Sequence, residues 1–142
     1  MRILSIISLA VILFCSSCGN LYNDLDLGAN FYYQTEPSFN NIVIPDNNET
    51  PYSIGSLVIR NIESLGFNKD FILATSIRND IIFYWIIDKN LESTKLGHDQ
   101  YSNLKLSNVM QPDSIEFYNF KSKQNIDLRP KLYYQKQAGW KK

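Results

Sequence analysis

Cysteine and histidine are all but missing from this chain. Its 142 residues hold two cysteines, Cys15 and Cys18, and a single histidine, His98. A tetrahedral zinc site built from His and Cys has no ligand set in such a sequence. Beyond Cys18 there is no thiol to form a disulfide or act as a nucleophile, so whatever folds there is held by its core. A Ser-His-Asp triad would have to pass through His98, which lies between Gly97 and Asp99 and reads as a surface or capping residue. Net charge is lacking as well: 14 Lys and Arg offset 14 Asp and Glu, which removes the electrostatic case for nucleic acid. No cofactor and no metal is expected.

Apolar length is in short supply too. The longest apolar stretch, Ile3 to Phe14 with Ser5 and Ser8 inside it, makes about 18 Å of helix at 1.5 Å per residue, against a hydrocarbon core of about 30 Å. It follows Arg2 and ends in Cys15-Ser16-Ser17-Cys18-Gly19, the pattern of a charged start, a short apolar centre and a small-residue exit. That exit resembles the lipobox of bacterial lipoproteins, with Cys15 standing where Leu, Val or Ile is usual. The resemblance implies cleavage before Cys18, diacylglycerol on its sulfur and often an N-acyl chain. One acyl chain binds a bilayer marginally, at about 0.8 kcal/mol per buried CH₂, whereas two or more anchor permanently. The expectation is therefore a signal peptide over 1–17 and a lipid-anchored protein of the bacterial cell envelope, facing periplasm or exterior. The competing reading is an ordinary secretory signal with two incidental cysteines.

Residues 18–24 are mostly polar without a period and read as a tether, although Leu21 and Tyr22 could pack on the domain or dip into the interface. Residues 25–142 have the size and apolar content of one domain. Turn-bounded β-rich runs predict strands at Ser56 to Asn61, Asp70 to Ile77 and Ile81 to Ile87. The last is seven consecutive apolar or aromatic residues, as expected of a strand covered on both faces. Arg78-Asn79-Asp80 joins it to the preceding run as a hairpin, placed at the centre of the sheet. Weaker strands are predicted at Asn30 to Gln34, Asn41 to Ile44, Ser114 to Phe120 and Lys131 to Gln135. One short helix is predicted near 99–109, with Asp99 as N-cap. The fold class is mainly β: a small antiparallel sheet of about five to seven strands, curled or sandwiched.

Asp70-Phe71-Ile72-Leu73-Ala74 and Tyr84-Trp85-Ile86-Ile87-Asp88-Lys89, with Asp26-Leu27-Gly28 and Tyr32-Tyr33 upstream, resemble an uncharacterised family of short bacterial lipoproteins. The likeness covers roughly Leu25 to Lys89 and rests on core hydrophobics. It implies the address and a single domain, and carries no activity.

Carboxylates are the remaining catalytic candidates. Asp80 and Asp88 bracket one strand about 27 Å apart and cannot act as a pair. Asp46 with Asn47, Asn48 and Glu49 is oxygen-rich but lacks the glycine and spacing of a calcium loop. Aromatic residues are the one excess, at nine Tyr, eight Phe and two Trp. The adjacent pairs Tyr32-Tyr33, Tyr84-Trp85 and Tyr133-Tyr134 would, on strands, send one member inward and one outward. If the outward members share a face they form a platform for an envelope protein or glycan; otherwise they pack the core. The leading expectation is a non-enzymatic binding module, with an inhibitor or immunity-type protein, or a carboxylate-dependent hydrolase, as rivals.

Overall fold

The computed structural model describes residues 24–45 and 56–139. The expected leader, Cys18, nearly all of the expected tether and the Asp46–Glu49 segment lie outside the described residues.

The protein is mainly β, and among the described residues the strands form three antiparallel sheets. Strands β1 (Leu25–Gly28), β2 (Phe31–Tyr33), β3 (Ile42–Ile44) and β4 (Ser56–Ile59) make a four-stranded meander in sequence order. The chain then changes sheet through Arg60 and Asn61, where Asn61 takes a left-handed φ of 55°. Strands β5 (Ile62–Phe67), β6 (Phe71–Arg78) and β7 (Ile81–Asp88) form the middle of a five-stranded sheet in the order β10-β7-β6-β5-β11, completed by β10 (Val109–Met110) and β11 (Arg129–Pro130). Strands β8 (Lys95–His98) and β9 (Leu104–Leu106) form a separate hairpin.

The predicted β6–β7 hairpin is present and central. Its two-residue turn places Asn79 and Asp80 at φ 50° and 61°, the left-handed pair that matches the twist of the flanking strands. Successive residues of a strand point to opposite faces, so β6 divides its apolar run between two cores. Ile72 and Ala74 join Phe31, Tyr33, Ile42, Ile59 and Ile87 in the core shared by the two large sheets. Leu73 points the other way, onto Ile86, Phe117 and Ile126.

Four expectations are corrected. The strand at Ile81 to Ile87 is covered on both faces only at its far end, where Ile86 and Ile87 are buried; Ile81 and Ile82 are 59% and 50% exposed. Their cover stops short of the hairpin tip. The helix near 99–109 is replaced by a turn and strands β9 and β10, because the Asp99 carboxylate caps a tight turn at Tyr101 and Asn103 rather than a helix. The strand at Ser114 to Phe120 is helix α1 (Ser114–Gln124), started by Asp113 accepting from the Glu116 N–H at 2.9 Å and stopped by left-handed Asn125. The strand at Lys131 to Gln135 is helix α2 (Lys131–Gln137), entered through Pro130.

Strand β5 was not foreseen. Glu63 and Ser64 interrupt its apolar run, and a register shift against β6 at this point takes up the extra residue. The turn that follows is built by Asn68, whose side-chain oxygen accepts from the N–H groups of Asp70 and Phe71 at 2.9 and 2.8 Å. At Gly66 a Cβ would lie 2.3 Å from the Asp127 carbonyl oxygen, so only glycine lets β5 approach the segment that leads into β11.

Candidate functional site

Face alternation sends Phe83 and Trp85 of β7 toward the β8–β9 hairpin, while Ile82 and Tyr84 face α1. Between β7 and that hairpin is a cleft of about 440 Å³, within the range of small-molecule and side-chain sites. Phe83 and Trp85 form its wall, with ring centroids 6.5 Å apart. The Trp85 indole N–H is fixed by donation to Ser76 Oγ at 2.8 Å. Tyr101 and Leu96 close the opposite side, and Gln111 lies at the end near β10.

Arg78 stands at the lip. Its guanidinium lies 3.5 Å from the Tyr101 ring centroid and 5.8 Å from that of Phe83, a cation held over aromatic rings. Among the described residues it makes no hydrogen bond or ion pair, so its N–H fork is available to a planar anion. Asp99 interacts with it electrostatically but is committed to the loop. Its carboxylate accepts from the Tyr101 N–H at 2.8 Å, the Asn103 N–H at 2.9 Å and the Asn103 amide at 3.1 Å. Desolvation alone would raise this carboxyl, but these hydrogen bonds and the Arg78 charge hold it below its usual value. Asn103 also accepts from Arg60 Nε at 3.1 Å, which ties the loop to the end of β4.

The cleft adjoins an open sheet edge. Strand β10 pairs with β7 only at Val109↔Ile87 and Met110↔Ile86, after which Gln111-Pro112-Asp113 leads away into α1. The Asp88 N–H donates to the Asn108 carbonyl at 3.0 Å, so alternate residues of β7 present their backbone groups on that side. Ile82 and Tyr84 therefore direct N–H and C=O groups outward beyond the end of β10, and no strand of the described residues pairs with them there.

The six aromatic residues singled out from sequence do not share a surface. Tyr33 is wholly buried, and its neighbour Tyr32 is half-buried on β2. Tyr84 packs tilted against Phe117 and edgewise against Tyr118 of α1. Trp85 alone lines the cleft. Tyr133 and Tyr134 are on a helix; Tyr133 is 41% exposed, whereas Tyr134 is buried against Tyr33. His98 is exposed at the end of β8, and Asp80 and Asp88 sit at opposite ends of β7. Among the described residues no three His, Cys, Asp or Glu converge as metal ligands, and no helix is long and apolar enough to cross a membrane. Arg78 and Tyr101 were the residues sequence reasoning missed: one read as part of a turn, the other as part of a helix.

No family model matches the chain, and no solved structure matches it. A curated relative is similar over part of its length. It is an uncharacterised leucine-rich repeat-containing protein of Amsacta moorei entomopoxvirus, 35% identical over 101 residues, which cover 67% of this chain and 21% of the relative. The chain thus spans about a fifth of the length of the curated relative it matches. Every ladder among the described residues is antiparallel, unlike the strand-and-helix stack of a leucine-rich repeat array.

Proposed function

We propose that this protein is a lipid-anchored envelope lipoprotein whose domain binds a partner, protein or glycan, in the cleft between β7 and the β8–β9 hairpin, without catalysing a reaction. The observation that carries the reading is Arg78, half-buried over Tyr101 at the mouth of a cleft walled by Phe83 and Trp85, with no hydrogen-bond partner for its guanidinium among the described residues. Aromatic walls supply contact area at low entropic cost, and an unpaired fork supplies orientation.

The fold suits an N-terminal anchor. Lys89, just past the end of β7, donates to the Leu27 carbonyl of β1, so the start of the domain lies at the end of β7 opposite the hairpin tip. Eight residues of β7 separate the two ends by about 26 Å at 3.3 Å per residue. A chain held by Cys18 would present Arg78 and the cleft away from the membrane. A second reading, an inhibitor or immunity-type module, draws on the hairpin tip, where Ile77, Ile81 and Ile82 are all exposed and could plug a partner's site.

Trp85 supplies the test. In a Trp140→Phe background, which leaves Trp85 as the sole tryptophan, titration with pooled peptides and with cell-wall glycan fragments should shift its emission. The shift should vanish in Tyr101→Ala. No response to either class at millimolar ligand would overturn the cleft as a binding site.

A further inference from the structure

We infer that the partner is an extended polypeptide segment that adds as a strand to the open edge of β7 and presents a carboxylate to Arg78. The inference rests on the cleft reading above and names its occupant. A sheet edge offers unpaired N–H and C=O groups in a row, a template that another strand satisfies. Here the row is short and bounded. Strand β10 covers Ile86 and Ile87, Pro112 follows where the chain turns away, and the hairpin turn at Asn79-Asp80 closes the other end. The window is Ile81 to Trp85, about 16 Å at 3.3 Å per residue, and an added strand would lie there in line with β10.

The side-chain pattern fits the same occupant. On an added strand, residues opposite Ile81, Phe83 and Trp85 point to the cleft side, where they meet the two aromatic walls, Tyr101 and the free fork of Arg78. Residues opposite Ile82 and Tyr84 point toward the α1 side, beside exposed Tyr118. Main-chain bonds would give affinity and the cleft would give selectivity. A glycan could use the aromatic wall but has no backbone to match the Ile82 and Tyr84 groups. A second copy of this chain could match them, but its own Ile81 to Trp85 carries no carboxylate for Arg78.

The test pans a displayed library of random decapeptides against the full chain. Enriched peptides should alternate apolar and polar residues and share an Asp or Glu. N-methylation at alternate positions, those whose N–H faces β7, should weaken binding at least about tenfold, while methylation at the intervening positions should leave it unchanged. Arg78→Gln should cost about tenfold and remove the preference for an acid. Peptides that shift Trp85 emission but ignore the methylation pattern would overturn strand addition and leave the cleft reading intact. Failure to enrich any peptide, while Trp85 still responds to glycan fragments, would also overturn it alone; silence toward both would sink the cleft as well. Sedimentation of the free chain as a dimer that Ile82→Lys disperses would assign the edge to a second copy and reject a peptide partner.

Discussion

The ammonium of Lys89 donates to the carbonyl of Leu27 at 2.8 Å, which fastens the end of the central hairpin to the first strand of the opposite sheet. The same ammonium donates to the Asn68 carbonyl in the β5–β6 turn. One cation thus closes three segments that meet at the end of the domain away from the cleft. Desolvation pushes its pKa below 10.5, with Asp70 and Asp26 pulling the other way.

Lys89→Met should lower stability by about 1–3 kcal/mol, because it leaves two carbonyls without their donor. Urea unfolding at pH 7 measures this. The pH dependence has a definite sign. Since the folded state binds the proton less tightly than the unfolded state, the wild type gains stability as pH rises from the lowered folded pKa to 10.5, and Lys89→Met should lose that rise.

Two buried tyrosines should respond oppositely to loss of a hydroxyl. The Tyr134 hydroxyl donates to the Leu65 carbonyl at 2.8 Å, so Tyr134→Phe should cost about 1 kcal/mol. The Tyr33 hydroxyl is buried without a hydrogen-bond partner among the described residues, so Tyr33→Phe should be neutral or stabilising by up to about 1 kcal/mol. Burial pushes the Tyr134 phenol up to about 12 and raises Tyr33 as well. Both folded values exceed the usual 10, so this stability is complete below pH 10 and drains away above it, through about 12 for Tyr134 and higher for Tyr33. Each Phe variant should soften that alkaline limb in a denaturant series run against pH.

Gly66→Ala should destabilise by about 1–3 kcal/mol or more, since the new methyl would meet backbone, which cannot swing aside. Amide exchange should show Arg129 of β11 losing protection first, because β11 pairs with β5 at Leu65 and Ser64, directly before the intrusion.

Cys18→Ser should release the protein from membranes after export. A variant that stays in the membrane fraction would refute lipid attachment at this residue.

Much of the β architecture was legible because it rests on local chemistry. The seven-residue apolar run and Asn79-Asp80 define a hairpin without reference to the rest of the chain. Helix α1 was misread because Ile115, Phe117, Tyr118 and Phe120 are β-formers, and only Phe117 among them is wholly buried. Its start was nonetheless written in Pro112-Asp113 and Glu116, an N-cap signature that outranked the side-chain preference. The cleft was less legible. Trp85 belongs to a strand any reader would mark, but Arg78 and Tyr101 meet only after β9 packs beside β4 and sets the β8–β9 hairpin across the cleft from β7, a placement decided by non-local packing. Tyr33 and Tyr134 show the same limit: adjacent aromatic pairs indicate that something packs, not which members do.

Tyr134, on α2, packs edge-to-face on Tyr33, on β2, at 5.8 Å between centroids. The core therefore joins segments far apart in the sequence, and a nascent chain cannot finish it until Tyr134 has left the ribosome. Such late closure, resting on contacts far apart in sequence, belongs to slowly folding domains. If the chain is exported as proposed, it would cross the membrane with this closure still unmade.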